Sequence, residues 1–106
     1  MSARKLDVQI SHAADRDVAE MALYTRRNWG EKQQLDYEAA IYQALDMLSR
    51  HPYAGRARAD LFPGCRSIQV EQHVIYYYQP DAATLVVRRI LHGRQDASAA
   101  VNAPDL

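Results

Sequence analysis

At 106 residues the chain has room for one domain and little more. Its 48% hydrophobic and 25% charged residues are the ordinary balance of a globular fold, which excludes a fibrous or low-complexity chain. A formal net charge of zero weighs against a protein that grips ribosomal RNA over a broad basic face, because phosphate contacts dominate such affinity.

"LDVQIS", Leu6 to Ser11, alternates apolar and polar residues and predicts a short half-buried strand. Ser11 is placed to cap a helix, with Asp15 and Asp17 in its early turns to complement the dipole. Ala14, Val18, Met21, Ala22, Thr25 and Trp29 recur at three- and four-residue intervals, which is the stripe of an amphipathic helix. Trp29 is expected to pack at the corner, and Gly30 ends the helix. A second helix runs from Glu31 with the stripe Tyr37, Ile41, Ala44, Leu45 and Leu48. Pro52 stops it near Arg50. Two helices joined at one glycine pack as an antiparallel hairpin.

"PYAGRARADLFPG", Pro52 to Gly64, reads as a loop from its Gly and Pro content. Three strands follow: "CRSIQV", "HVIYYY" and "TLVVRRIL". Glu71-Gln72 and Gln79 to Ala83 are the turns between them, and such short connections force antiparallel neighbours. Strand alternation puts Tyr77 opposite Tyr76 and Tyr78, and Arg88 opposite Arg89. The last two strands are apolar on both parities, so both faces of the sheet should be covered, one by the hairpin. "ASAAVNAPDL" has no periodicity. Residues 97–106 are therefore expected to be a flexible tail after a domain spanning 1–96. The fold class is α+β, in the order β-α-α-β-β-β, with a helical hairpin on a mainly antiparallel sheet.

No apolar run approaches the roughly 20 residues of a membrane helix, and no signal peptide is read at the N-terminus. Cys65 stands alone, so neither an internal disulfide nor a cysteine–histidine zinc site is expected. No metal or other cofactor is expected, and the default location is the cytoplasm. The charge is uneven. Residues 1–49 carry six Lys/Arg against eight Asp/Glu, whereas residues 50–96 carry seven against four. Arg50, Arg56, Arg58 and Arg66 lie within seventeen positions, with Asp60 as their one acidic neighbour.

The element order and four local signatures resemble the RelE/ParE superfamily of toxin–antitoxin toxins, its ParE branch most. The signatures are "YTRRNWG", "HPYAGRARADLFPGCRS", "HVIYYY" and "RRILHGRQD". Together they span about residues 6–96. The resemblance implies a cytoplasmic toxin that inhibits DNA gyrase by binding and is neutralised by a ParD-like antitoxin in a hetero-oligomer. The alternative it implies is a RelE-like, metal-independent ribonuclease that cuts mRNA on the ribosome.

Such a ribonuclease needs a base, an acid and cations for the phosphorane charge. By resemblance, Arg66 would bind phosphate, Arg89 or Arg88 would be a second cation, and His92 would titrate. Two departures weaken that set. Gly93 stands where cutting relatives carry a tyrosine, and Arg56 and Arg58 stand where they carry lysines. Arginine stabilises charge but is a poor base. The preferred expectation is thus a target-binding surface of Arg56, Arg58, Arg66, His92, Arg94 and Asp96, with Gly93 allowing a sharp turn. Tyr24, Tyr37 and Tyr42 are the candidate antitoxin contacts, in a groove between hairpin and sheet.

Overall fold

The computed structural model describes residues 5–103. Residues 1–4 of the expected domain and 104–106 of the expected tail lie outside the described residues. Strand β1 (Asp7–Ile10) leads into helices α1 (His12–Trp29) and α2 (Glu31–Arg50). Strands β2 (Arg56–Ala57), β3 (Arg66–Val70), β4 (His73–Asp81) and β5 (Thr84–His92) follow, and helix α3 (Ala97–Asn102) closes the chain. The sheet order is β1-β5-β4-β3-β2. β1 runs parallel to β5, and every other pair is antiparallel.

Local chemistry sets the helix ends. Ser11 Oγ accepts the Ala14 N–H at 3.0 Å and donates to the Arg88 carbonyl at 2.8 Å, so one hydroxyl caps α1 and anchors it to β5. Gly30 sits at φ 94°, ψ 173°, a backbone state that a side chain would strain, and there α1 hands over to α2. The hairpin buries Ala14, Val18, Met21, Ile41, Leu45 and Leu48 against Ile75, Tyr77, Leu85, Val87 and Ile90 of the sheet.

The opposite face holds a second cluster of Cys65, Tyr76, Leu91 and Val101, flanked by Leu61, Phe62, Val74, Ala97 and Ala100. This corrects the expectation for the tail. Residues 97–102 form a helix whose Val101 is wholly buried. Asp96 caps it by accepting the Ser98 N–H and hydroxyl. Without this helix the apolar second face of the sheet would meet water. Cys65 lies beneath it, with burial pushing its thiol up to about 11, so it is an inert apolar side chain.

Arg88 and Arg89 also depart from simple alternation. Tyr76 pairs with Arg89 while Tyr77 pairs with Val87, so Arg88 is an extra residue in a β-bulge. Both arginines reach α3. Arg88 Nε donates to the Val101 carbonyl at 2.9 Å, and an Arg89 terminal nitrogen donates to that of Ala100 at 3.2 Å. Two cations at the C-terminal carbonyls of α3 complement its dipole. Alternation does hold on β4, where Tyr77 joins the hairpin side and Tyr76 the other.

Beyond Val87, β5 has no partner from β1. Helix α1 closes that edge. The Asp17 carboxylate accepts from Arg89 at 2.8 Å through two nitrogens and from the Ile90 N–H at 2.9 Å. The side chains are 9% and 21% exposed, so the pair is largely desolvated. Removing one partner of such a pair strands the other. Asp17→Ala should therefore cost about 3 kcal/mol of folding stability, read from the urea midpoint at constant m-value. A loss no larger than that of exposed Asp15→Ala would contradict the role given to Asp17.

Candidate functional site

The arginine cluster of the sequence does not form one patch. Arg50 pairs with Asp46 on α2. Arg58 forms a two-pronged ion pair with Asp60, 3.0 Å at each prong, and lies 5.8 Å over the Tyr76 ring on the α3 side. Its guanidinium holds the Asp60 carboxyl below the usual carboxylate range. Arg66 is on the hairpin side. It stacks 4.9 Å from the Tyr53 ring and donates to the Gly55 carbonyl at 2.7 Å. Next to it the Tyr77 hydroxyl donates to the Pro52 carbonyl and accepts the Gly55 N–H. A Cβ on Gly55 would come within 2.4 Å of that hydroxyl and 2.9 Å of the Ser67 carbonyl, so glycine is required by close approach. Arg66 is thus occupied in holding the loop after α2. Of the four arginines, Asp60 pairs with Arg58 and not with Arg66. The expected loop also contains β2, which carries Arg56 exposed at the sheet edge.

His92, Arg94 and Asp96 stand at the other end of the sheet. Arg66 is opposite Tyr77 and His92 is opposite His73, four residues apart on β4, or ~13 Å along the strand. The end of β5 is a tight turn. His92 O accepts the Gln95 N–H, Gln95 Oε1 accepts the His92 N–H, and His92 Nδ1 accepts the Arg94 N–H at 3.2 Å. Gly93 takes no left-handed φ, and a Cβ there would meet its nearest atom at 3.7 Å. The turn therefore does not depend on glycine. Arg94 is exposed beyond it, while Asp96 is committed to capping α3 rather than to Arg94.

A group that the sequence did not suggest lies beside His92. Its ring meets His73 edge-on at 5.5 Å, and His73 meets Tyr37 edge-on at 5.3 Å. Tyr37 Oη lies 2.6 Å from His73 Nδ1 and accepts the Gln72 N–H at 2.8 Å. Burial, then the neighbouring His92, hold His73 below its ordinary value of 6.5. With His73 neutral and its proton on Nε2, the Tyr37 hydroxyl donates to Nδ1. This linkage clamps the β3–β4 turn, where Glu71 sits at φ 55°, a strained state for a side-chain-bearing residue. The Gly93 N–H donates to the Gln72 carbonyl from the other side.

These residues form the floor of a cleft of about 880 Å³ between the hairpin tip and the end of the sheet. Its walls include Asp17, Glu20, Tyr24, Trp29, Asp36, Glu71 and Arg89. Trp29 is 73% exposed, which corrects its expected packing at the corner. Tyr24 is exposed on the wall, Tyr42 is exposed on α2 outside this cleft, and the Tyr37 hydroxyl is already bonded. Among the described residues no cluster of His, Cys, Asp or Glu could hold a metal ion, and no helix is long and apolar enough to cross a membrane.

A family model described as the ParE toxin of the type II toxin–antitoxin system parDE matches residues 8–97. A protein named Toxin ParE1 from Mycobacterium tuberculosis is 32% identical over 96 residues, covering 91% of this chain and 95% of that protein. A Toxin ParE from Escherichia coli is 30% identical, with 78% and 81% covered. Among solved structures, a chain of the chromosomal ParDE system from P. aeruginosa superposes with a TM-score of 0.71 at 16% identity, covering 83% of this chain and 96% of that one. A chain of the RelBE2 toxin–antitoxin complex from Mycobacterium tuberculosis gives 0.61 at 20%, covering 84% and 99%. At such identities the structures speak for the fold alone.

The histidine floor has a consequence for stability. His73 is depressed in the folded state, so as pH falls the unfolded chain takes up the proton first. The contribution is complete above the ordinary value of 6.5 and is lost as pH drops through the lower folded value. The melting temperature should therefore fall between about pH 7 and pH 5, a window in which histidines titrate and most carboxylates do not. His73→Gln should flatten that fall. An unchanged slope in the variant would show that His73 is not its source.

Proposed function

The chain belongs to the ParE toxin family of type II toxin–antitoxin systems, and from that premise we propose that it acts by binding rather than by chemistry. Its proposed target is DNA gyrase in the cytoplasm, and its proposed neutralising partner is a ParD-like antitoxin with which it forms a hetero-oligomer. The observation that carries this reading is the separation of Arg66 from His92, whose partners stand four residues apart on β4.

A metal-free ribonuclease has to bring a titrating group and free cations to one phosphate. Here Arg66 and Arg58 are tied to their own loops, and Arg89 is tied to Asp17 and α3. The two histidines face a cleft with four carboxylates on its walls, which repels a phosphodiester. The geometry thus supports the binding reading over the alternative of a RelE-like mRNA interferase.

Two arginine side chains of the proposed target surface, Arg56 and Arg94, make no hydrogen bond or ion pair among the described residues and are exposed. Arg94 stands on the rigid turn after β5, which makes it the better anchor. Toxin freed of antitoxin should abolish supercoiling by purified gyrase and leave cleaved DNA. Arg94→Glu should raise the half-inhibiting concentration about tenfold. Full supercoiling at a large toxin excess would refute the gyrase target. Cleavage of mRNA on translating ribosomes, lost in His92→Ala, would favour the ribonuclease instead.

A further inference from the structure

The cleft between hairpin and sheet has a chemistry of its own. Four carboxylates line it, from Asp17, Glu20, Asp36 and Glu71, against the single guanidinium of Arg89. Asp17 and Arg89 neutralise one another. Asp36 shares Lys32 at 2.8 Å, but that ammonium is 90% exposed and weakly held. Glu20 and Glu71 are exposed and make no ion pair among the described residues. What remains is an anionic rim.

Between these carboxylates lie Met21, Tyr24, Trp29, Tyr37 and Ile90. Trp29 and Tyr24 are 73% and 66% exposed, which leaves broad aromatic surface uncovered by the chain itself. An aromatic face beside carboxylates suits one class of side chain. The alkyl stem of a lysine or arginine lies on the ring while its cationic head pairs with the acid. A nucleic acid or an acidic peptide would meet carboxylates on α1, on α2 and on the β3–β4 turn.

We propose that this cleft seats an antitoxin segment in which apolar side chains alternate with lysine or arginine, the cations lying over Trp29 and Tyr24 and against Glu20, Asp36 and Glu71. This rests on the antitoxin reading above and specifies what the partner must carry. It also gives neutralisation a physical route. The cleft is lined by His92 and Gln95, which belong to the same turn as Arg94. An occupant there crowds the strand end proposed to meet the target, so the two partners exclude each other.

The test uses the full chain co-expressed with the protein encoded beside it. The dissociation rate of the purified complex is measured for wild type, for Glu20→Lys/Glu71→Lys and for Trp29→Ala. Each variant should dissociate about tenfold faster, equivalent to ~1.4 kcal/mol. Wild-type dissociation should quicken with salt more steeply than that of the double reversal, because screening acts on the rim charges. Asp7→Lys on β1 is the control for a charge reversal elsewhere and should leave the rate unchanged. Melting temperatures check that each variant is folded, and Glu20→Gln/Glu71→Gln, with a smaller expected effect, replaces the reversal if it unfolds. Folded charge variants that dissociate at the wild-type rate would overturn the proposal while leaving the antitoxin reading standing. A wild-type chain that fails to pair with its neighbour's product would overturn both.

Discussion

The Asp17 carboxylate closes the stretch of β5 that β1 leaves uncovered. β1 stops pairing at Val87, and the five residues of β5 beyond it would present unpaired backbone to water or to another chain. Asp17 takes the Ile90 N–H and the Arg89 guanidinium together, and Arg89 also reaches the end of α3. One acidic side chain thereby fixes α1 against β5 and holds in place the arginine on which α3 is seated. The bulge at Arg88 belongs to the same arrangement. By inserting a residue it turns both arginines toward α3 and frees the Arg88 carbonyl to accept from Ser11. The N-terminal turns of α1 therefore carry two ties to β5, at Ser11 and Asp17.

Most of the fold was legible because its signals are local. Alternation marks β1, a three-and-four stripe marks each helix, and Ser11, Gly30 and Pro52 punctuate them where the structure does. The missed features are those that only tertiary contact decides. A bulge leaves no trace in the run "VVRRIL", since both parities are filled by residues that fit either face. Helix α3 has six residues, too few to show a period, and exists because Val101 and two arginines hold it to the sheet. Trp29 continues the α1 stripe in sequence, but the stripe outlasts the sheet beneath it, and the ring projects past the core.

The candidate site was less legible than the fold, and charge counting shows why. The second half of the chain is arginine-rich, yet most of those guanidiniums satisfy carbonyls, carboxylates and aromatic faces within the domain. They are structural fasteners for a sheet with a long loop on one side and a short helix on the other. The acidic cleft, by contrast, draws Glu20 and Trp29 from α1, Asp36 and Tyr37 from α2, Glu71 and His73 from the β3–β4 hairpin, and His92 from β5. No short motif contains it, because its members come together only when the hairpin tip folds over the sheet end.

That assembly also gives both histidines a structural task. His73 spends one nitrogen on Tyr37, and His92 spends one on the Arg94 amide. Both bonds serve to fix backbone: the strained turn at Glu71 and the exit of β5. Fixed backbone is what a binding surface requires, because each side chain ordered beforehand spares entropy when a partner arrives. The two histidines thus fix the turn that carries Glu71 and the turn that carries Arg94, an acidic residue and a basic one separated by two strands in sequence.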